Sequence, residues 1–188
     1  MTGREPGTER VTESRVIYSG KKATLRIDTV DLGDGRISTR EVVEHPGVSA
    51  VVPIDGEGNV VFVRQYRIAV GDITREIPAG VLDPGESPEV GAQRELREET
   101  GLRAGKLEPL GPRFFVSPGI STEWIQLFLA QDLSHDPLAP DDDEFIGVEH
   151  IPLAEAVAMV DRGEFCDGKT ITGVLLAARV LRVSEPRS

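Results

Sequence analysis

Three glutamates, Glu95, Glu98 and Glu99, stand at positions i, i+3 and i+4 within Arg94-Glu95-Leu96-Arg97-Glu98-Glu99. On a helix that spacing makes them neighbours on one face. Like charges so placed repel, and a helix that keeps them has something cationic to offset the cost. Two arrangements answer. Arg94 lies four residues before Glu98 and can pair with it, which gives a solvated charged face. Alternatively, carboxylates one turn apart hold divalent ions. A hard cation such as Mg²⁺ takes a few carboxylates together with phosphate oxygens and water. Ions held in this way would neutralise a diphosphate, polarise its phosphorus and lower the pKa of an attacking water. The residue types alone leave both arrangements open.

The elements that must position these side chains have their own signals. Gly80 to Gly85 reads as a loop, with Pro84-Gly85 a turn. Ser87 is a good N-cap, Pro88 suits the first helical position, and Glu89 in the first turn suits the helix dipole. The helix should run to Thr100, with Gly101 as its stop. Upstream, Val48 to Ile54 is nearly all apolar, as a buried central strand is, and Asp55 to Asn59 turns the chain into a second strand, Val60 to Tyr66. Thr74 to Pro78 is a short extended segment. Further strands are expected near Leu107 to Val116, Glu123 to Ala130 and Phe145 to His150. Two loops intervene, Ser117 to Thr122 and the acidic run Ser134 to Asp143. Two helices close the chain: Pro152 to Arg162, and Thr170 to Val183, whose apolar residues lie almost all round.

Before the central strand lie three short β-rich runs, Val16 to Tyr18, Ala23 to Val30 and Ile37 to Val43, separated by Ser19-Gly20 and Gly33-Asp34-Gly35. They read as an antiparallel meander too small to bury itself alone, which should pack on the main domain or on a second subunit. The expected organisation is a disordered stretch over 1–12, the meander over 13–45 and the main domain over 46–188. Strands with helices outside them predict an α+β chain with an α/β/α layered core and a mixed sheet.

Composition sets bounds. With 188 residues the chain can bury a proper core. A net charge of −11 argues against a nucleic-acid polymer as partner, because such binders show a basic footprint. A small anionic ligand remains open if metal ions bridge the two sets of negative charge. Cys166 is the single cysteine, so no disulfide can form within the chain and a reducing compartment fits. There is no secretory h-region and no apolar run near membrane-spanning length, so a cytoplasmic protein is expected.

The spacing of the whole central stretch is more specific than the helix. Gly80, five residues, Glu86, seven residues, Arg94-Glu95, aliphatic Leu96, one residue, Glu98-Glu99, one residue, Gly101, aliphatic Leu102 resembles the Nudix box at every defined position. Nudix hydrolases cleave a nucleoside diphosphate linked to another group, on an α/β/α sandwich. The resemblance implies that Glu95 and Glu99 are metal ligands, with the backbone carbonyl of Ala79 as a third and Glu98 as an additional one. The metal is expected to be Mg²⁺, with Mn²⁺ or another divalent ion as alternatives. Glu86 and Arg94 would brace the loop against the helix.

Further features resemble the ADP-ribose pyrophosphatase subgroup. Pro118 lies 16 positions beyond Leu102, Arg40-Glu41 precedes the central strand, Arg64-Gln65-Tyr66-Arg67 ends the next, and Glu76-Ile77-Pro78-Ala79-Gly80 runs into the box. The resemblance implies a homodimer that exchanges N-terminal strands and builds the adenine site at its interface. It implies Arg40 and Glu41 at the adenosine end, Arg67 on phosphate, and Glu76 and Glu123 at the terminal ribose or its neighbours. The general base would come from the acidic loop: Glu144 is the choice, with Asp142 and Asp143 as alternatives. The expected reaction is hydrolysis of ADP-ribose to AMP and ribose 5-phosphate. Another nucleotide sugar such as GDP-mannose, or a non-catalytic nucleotide sensor, is the rival reading. One departure concerns the base: the meander offers only Tyr18 as an aromatic to stack on adenine, with Lys21-Lys22 beside it.

Overall fold

The computed structural model describes residues 7–33, 35–139 and 146–182. Its contacts divide the chain into two compact units, one comprising the residues up to Pro46 together with Phe115–Trp124, the other Gly47–Phe114 together with the chain from Ile125 onward.

The first unit is the antiparallel sheet β1 (Arg10–Ser19), β2 (Thr24–Asp31) and β3 (Ile37–Glu44), in that order. β1 starts earlier than the β-rich run at Val16 announces, because its polar first half pairs across the sheet: Arg10 meets Asp31 at 3.3 Å, and the Thr12 hydroxyl donates to the Thr29 carbonyl. Every residue of β1 is exposed. The segment around Pro118 is fastened to the end of β3. Val43 donates to the Ile120 carbonyl at 2.8 Å, and Thr122 donates back to the Val43 carbonyl at 3.0 Å. Pro118 itself stands second in a tight turn closed by Ile120 N–H on the Ser117 carbonyl, a position its fixed φ favours.

In the second unit the apolar run after Pro46 is β4 (Val48–Pro53), buried at every residue. β5 (Asn59–Arg67) follows the turn, in which the Asp55 carboxylate accepts from the N–H groups of Glu57 and Asn59. Then come β6 (Asp72–Glu76), β7 (Ala79–Val81), α1 (Pro88–Thr100), β8 (Leu102–Pro109), the two-residue β9 (Phe114–Phe115), β10 (Trp124–His135), β11 (Gly147–Pro152), α2 (Leu153–Asp161) and α3 (Gly168–Val180). The central sheet runs β7-β4-β10-β8; β4 and β10 are parallel, while β7 with β4 and β10 with β8 are antiparallel. A second sheet runs β11-β5-β6.

Alternation along the strands builds two layers of core. Val48, Ala50 and Val52 of β4 and Ile125, Leu127 and Leu129 of β10 pack with residues of α2 and α3. Val51, Phe128 and Ala130 face the other way, onto Ala92 and Leu96 of α1. Helices on both sides of a mixed sheet make the α/β/α sandwich, within an α+β chain.

Two further strands and one helix differ instructively from the sequence reading. The strand expected at Leu107 to Val116 is β8, five residues earlier, because Gly111-Pro112 interrupts it: Gly111 takes φ 84° and Pro112 has no N–H to give. β10 continues to His135, past the apolar run that ends at Ala130. Its polar end pairs with β8, as far as His135 opposite Leu102. And α3 is not buried all round. It buries Thr170, Gly173, Val174, Ala177 and Ala178, while Leu175 and Val180 are exposed. Among the described residues no helix is long and apolar enough to cross a membrane.

Candidate active site

α1 begins and ends where its sequence says. The Ser87 hydroxyl accepts from Val90 N–H, Pro88 opens the helix, and Gly101 closes it in the left-handed conformation at φ 72°. The Ser49 hydroxyl of β4 donates to the Pro88 carbonyl at 2.7 Å, which fixes the helix start to the sheet. β7 lies alongside β4 with Gly80 opposite Ser49 and Ala79 opposite Ala50. The loop Leu82 to Ser87 therefore joins two elements that the same strand holds.

Arg94 is the hub of this arrangement. Its Nε and Nη2 donate to the two oxygens of Glu86 at 3.0 and 2.9 Å. Nη1 donates to Glu95 Oε1 at 2.6 Å and Glu98 Oε2 at 2.9 Å, and Nη2 also reaches the Val81 carbonyl at 3.1 Å. The hydrogen bonds to Glu86 push the guanidinium pKa up against the effect of burial, and the charge and hydrogen bond of Glu95 and the hydrogen bond to Glu98 add to this. Arg94 in turn holds the Glu86 carboxyl below its usual range, and the Asp83 N–H adds to this. Glu99 sits one turn on from Glu95, is buried, and accepts from the Ala79 N–H at 3.0 Å.

The donor set fits a hard divalent cation. Three carboxylates, Glu86, Glu95 and Glu98, converge on one guanidinium. Glu95 and Glu99 are only 8% and 5% exposed. Carboxylates at that depth favour cationic and N–H partners. Gly80, with no side chain, leaves the space that the Glu95 carboxylate fills. Among the described residues, no three acidic, histidine or cysteine side chains are already gathered as a metal cage. Arg94 and the Ala79 N–H hold oxygens that a cation would take over.

A second polar cluster lies at the N-terminus of α3. Glu76, 3% exposed, accepts from Arg67 through Nε and Nη2, both at 2.7 Å, and from the Thr74 hydroxyl at 2.6 Å. Lys169 Nζ also donates to Glu76 and reaches Asp167 Oδ2 at 3.0 Å. Burial pushes the Glu76 carboxyl up, but Arg67, Lys169 and Thr74 together outweigh it and hold the pKa at about 2. The hydrogen bonds to Glu76 push the Arg67 pKa up, with smaller help from the charges of Glu99 and Asp167. Arg67 and Glu76, expected to meet ligand separately, are thus partners of one another. Lys169 and Thr74 carry no signal that could have found them from sequence. Asp167 is legible only as the cap of α3, where it accepts from Thr170 N–H.

The remaining expected residues fall in the first unit or outside the described chain. Arg40 is engaged by Glu9 through Nε at 2.9 Å and through Nη2, and donates to the Ser38 hydroxyl and the Thr39 carbonyl. Glu41 lies opposite Ile27 in β3 and is exposed. Glu123 N–H donates to the Ser121 hydroxyl, beside the Pro118 turn. Glu144, Asp142 and Asp143 lie outside the described residues.

Residues 43–172 match the family model of the NUDIX domain. The chain belongs to the Nudix family. Among similar relatives are the "ADP-ribose pyrophosphatase" of Bacillus subtilis (strain 168), 40% identical over 86% of this chain and 88% of its own length, and the "ADP-ribose pyrophosphatase" of Mycobacterium tuberculosis (strain ATCC 25618 / H37Rv), 41% identical over 93% and 86%. The Nudix fold is also that of a solved structure described as an "ADP compounds hydrolase". It superposes with a TM-score of 0.85 over 96% of this chain and 97% of that one, at 21% identity.

Proposed function

We propose that this chain is a divalent-metal-dependent hydrolase of ADP-ribose, releasing AMP and ribose 5-phosphate. The observation that carries the reading is the convergence of Glu86, Glu95 and Glu98 on Arg94, with Glu99 one turn further on: a cluster of carboxylates, two of them buried, of the kind that suits a hard divalent cation. Two relatives about 40% identical over most of both chains bear the name ADP-ribose pyrophosphatase, and this supports the choice of substrate.

Within this proposal Glu95, Glu99 and the Ala79 carbonyl hold the metal, taken to be Mg²⁺, with Glu98 adding a ligand directly or through water. A divalent cation bound there shields the diphosphate and lowers the pKa of the water that attacks it. Glu86 and Arg94 keep the loop and the helix in register, and Gly80, Gly101 and Pro118 shape the backbone around them. Arg67 keeps Nη1 for a phosphate oxygen while Nε and Nη2 rest on Glu76. A guanidinium fixed by two of its edges presents its remaining N–H groups in a set direction. Arg40, Glu41 and Glu123 are assigned to the adenosine and ribose ends, and Glu144 to the proton of the attacking water. The exposed edge strand β1, with Val11, Val16, Ile17 and Tyr18 each more than 40% exposed, is the surface assigned to a homodimer.

The test is turnover with Mg²⁺ on ADP-ribose, GDP-mannose, NADH, ADP-glucose and diadenosine polyphosphates, read as AMP or GMP release. Preference for ADP-ribose is expected. A clear preference for GDP-mannose removes the ADP-ribose assignment, and no turnover of any of them removes the enzyme. Glu99→Gln should lower turnover more than about a hundredfold, beyond what loss of an outer partner costs, while the thermal unfolding profile stays close to that of the parent.

A further inference from the structure

The N-terminal turn of α3 is joined to the segment that leads into the box by two side chains next to each other in sequence. The Thr170 hydroxyl accepts from the Ile77 N–H at 2.9 Å and donates to Asp167. The Lys169 side chain, 12% exposed, extends alongside and places its ammonium between Glu76 and Asp167. Glu76 is therefore met by four donors on its two oxygens: Arg67 Nε and Thr74 Oγ1 on Oε1, Arg67 Nη2 and Lys169 Nζ on Oε2.

We infer that Lys169 is a positioning residue for Arg67, acting through Glu76 to keep the Arg67 guanidinium available to the diphosphate of the substrate. The inference rests on the proposed reaction for the identity of that ligand, and on geometry for the rest. The cluster holds two acids, Glu76 and Asp167, and two cations, Arg67 and Lys169. Asp167 is already crowded, since its Oδ2 also takes the N–H and hydroxyl of Thr170. With Lys169 present each acid has a cation, and Arg67 owes only two of its N–H groups to Glu76. The Arg67 side chain is 39% exposed, and Nη1 carries no hydrogen bond within the described residues. Without the ammonium, one guanidinium is left to balance two acids, and Glu76, whose side chain is almost fully buried, is where unpaired charge is costly. Arg67 would then be drawn inward, and its free edge withdrawn from an incoming anion. Lys169 does this without touching the ligand. Its charge is spent on the two acids, and its stem is buried.

The experiment uses the full chain and its variants Lys169→Met, Lys169→Arg, Arg67→Ala and the double variant Lys169→Met/Arg67→Ala. Lys169→Met should raise KM for ADP-ribose about tenfold, the scale seen for residues that orient a functional group from behind, with kcat little changed, and Lys169→Arg should restore most of the loss. In the Arg67→Ala background, Lys169→Met should change KM no further. A residue that only supports the fold would add its effect independently. If the two effects multiply, or if Lys169→Met leaves KM unaltered, the inference is overturned. A readout that does not need turnover accompanies it: the ¹⁵Nε resonance of Arg67, which should shift in Lys169→Met and stay in place in Lys169→Arg. An unmoved resonance in Lys169→Met overturns the positioning role even in a chain that hydrolyses no ADP-ribose. Absence of ADP-ribose turnover in the parent overturns the substrate assignment and leaves the resonance to decide the role of Lys169.

Discussion

The Glu95 carboxylate lies directly over the α-carbon of Gly80: a β-carbon built there would stand 1.9 Å from Glu95 Oε1 and 2.2 Å from Cδ. Gly80 is therefore required by a side chain fifteen positions away rather than by its own backbone angles. The two residues are brought together because β7 and α1 are both anchored on β4. Gly80→Ala must push the carboxylate aside, and the far end of a glutamate can yield at small cost in stability. The expected result is a folded protein whose activity falls by about a hundredfold, as an ångström of misplacement in a catalytic group can cause. It should also need more Mg²⁺ for half-maximal rate. Titration of turnover against Mg²⁺, alongside thermal unfolding, checks this. Normal metal dependence would separate Gly80 from the metal ligands.

Arg94 makes five hydrogen bonds in a fixed planar fork, and an ammonium can supply at most three in no fixed plane. Arg94→Lys keeps the charge and loses the fork. Hydrogen bonds to charged partners that are largely out of water are worth about 2–3 kcal/mol, so a stability loss of that order is expected from urea unfolding midpoints. Glu86→Gln, which keeps an acceptor toward Nη2, should lose less. Equal losses for the two would mean that charge alone matters here.

Acid sensitivity follows from the second cluster. The Glu76 pKa is held at about 2 in the folded protein, against 4.5 for a free side chain. A carboxyl depressed by folding adds stability at pH values above its unfolded pKa. That contribution is lost as the pH falls from about 4.5 toward about 2, because the unfolded chain binds the proton more readily. Asp55 works in the same direction. Burial opposes its charge, but His150, Asn59 and the turn N–H groups hold it at about 2, against 3.8. Unfolding free energy measured between pH 5 and pH 2 should therefore drop, and Glu76→Gln should flatten part of that slope. An unchanged slope would show that Glu76 retains its charge in neither state or in both.

The strand β1, exposed along its whole length, sets the expectation for assembly. Sedimentation should return a species of twice the 20.4 kDa chain mass. A charge placed on its apolar face, Ile17→Lys, should shift the population toward the single chain. A profile with only the single chain in the parent removes the dimer from the proposal.

What could be read beforehand follows from how far apart in sequence the partners lie. The cap at Ser87, the stop at Gly101 and the i, i+3, i+4 placement of Glu95, Glu98 and Glu99 are contacts within a few residues, and each is written in residue type and spacing. The buried strand β4 was legible too, because a run apolar at every position has few other fates. Glu76 and Lys169 are 93 residues apart, and Arg40 and Glu9 are 31 apart. Nothing in either neighbourhood names the other, so neither ion pair could be read from the sequence. The fastening of the Pro118 turn to Val43 was invisible for the same reason. The polar end of β10 was read as loop because its pairing with β8, not its hydrophobicity, makes it a strand.

Parallel pairing of β4 with β10, from Val48 beside Ile125 to Pro53 beside Ala130, has a consequence for the order of folding. The whole of α1 and its loop lies in the chain between those strands, so the crossover must close before the sheet gains its central contact, and such closures are slow because their entropy is paid in advance. Local signals favour α1 early, but three clustered carboxylates oppose it until Arg94 can reach Glu86 and the loop. The acidic face is held by groups from outside the helix, Glu86, the Val81 carbonyl and the Ala79 N–H, so its arrangement is expected to be complete only once β7, the loop and α1 are all in place.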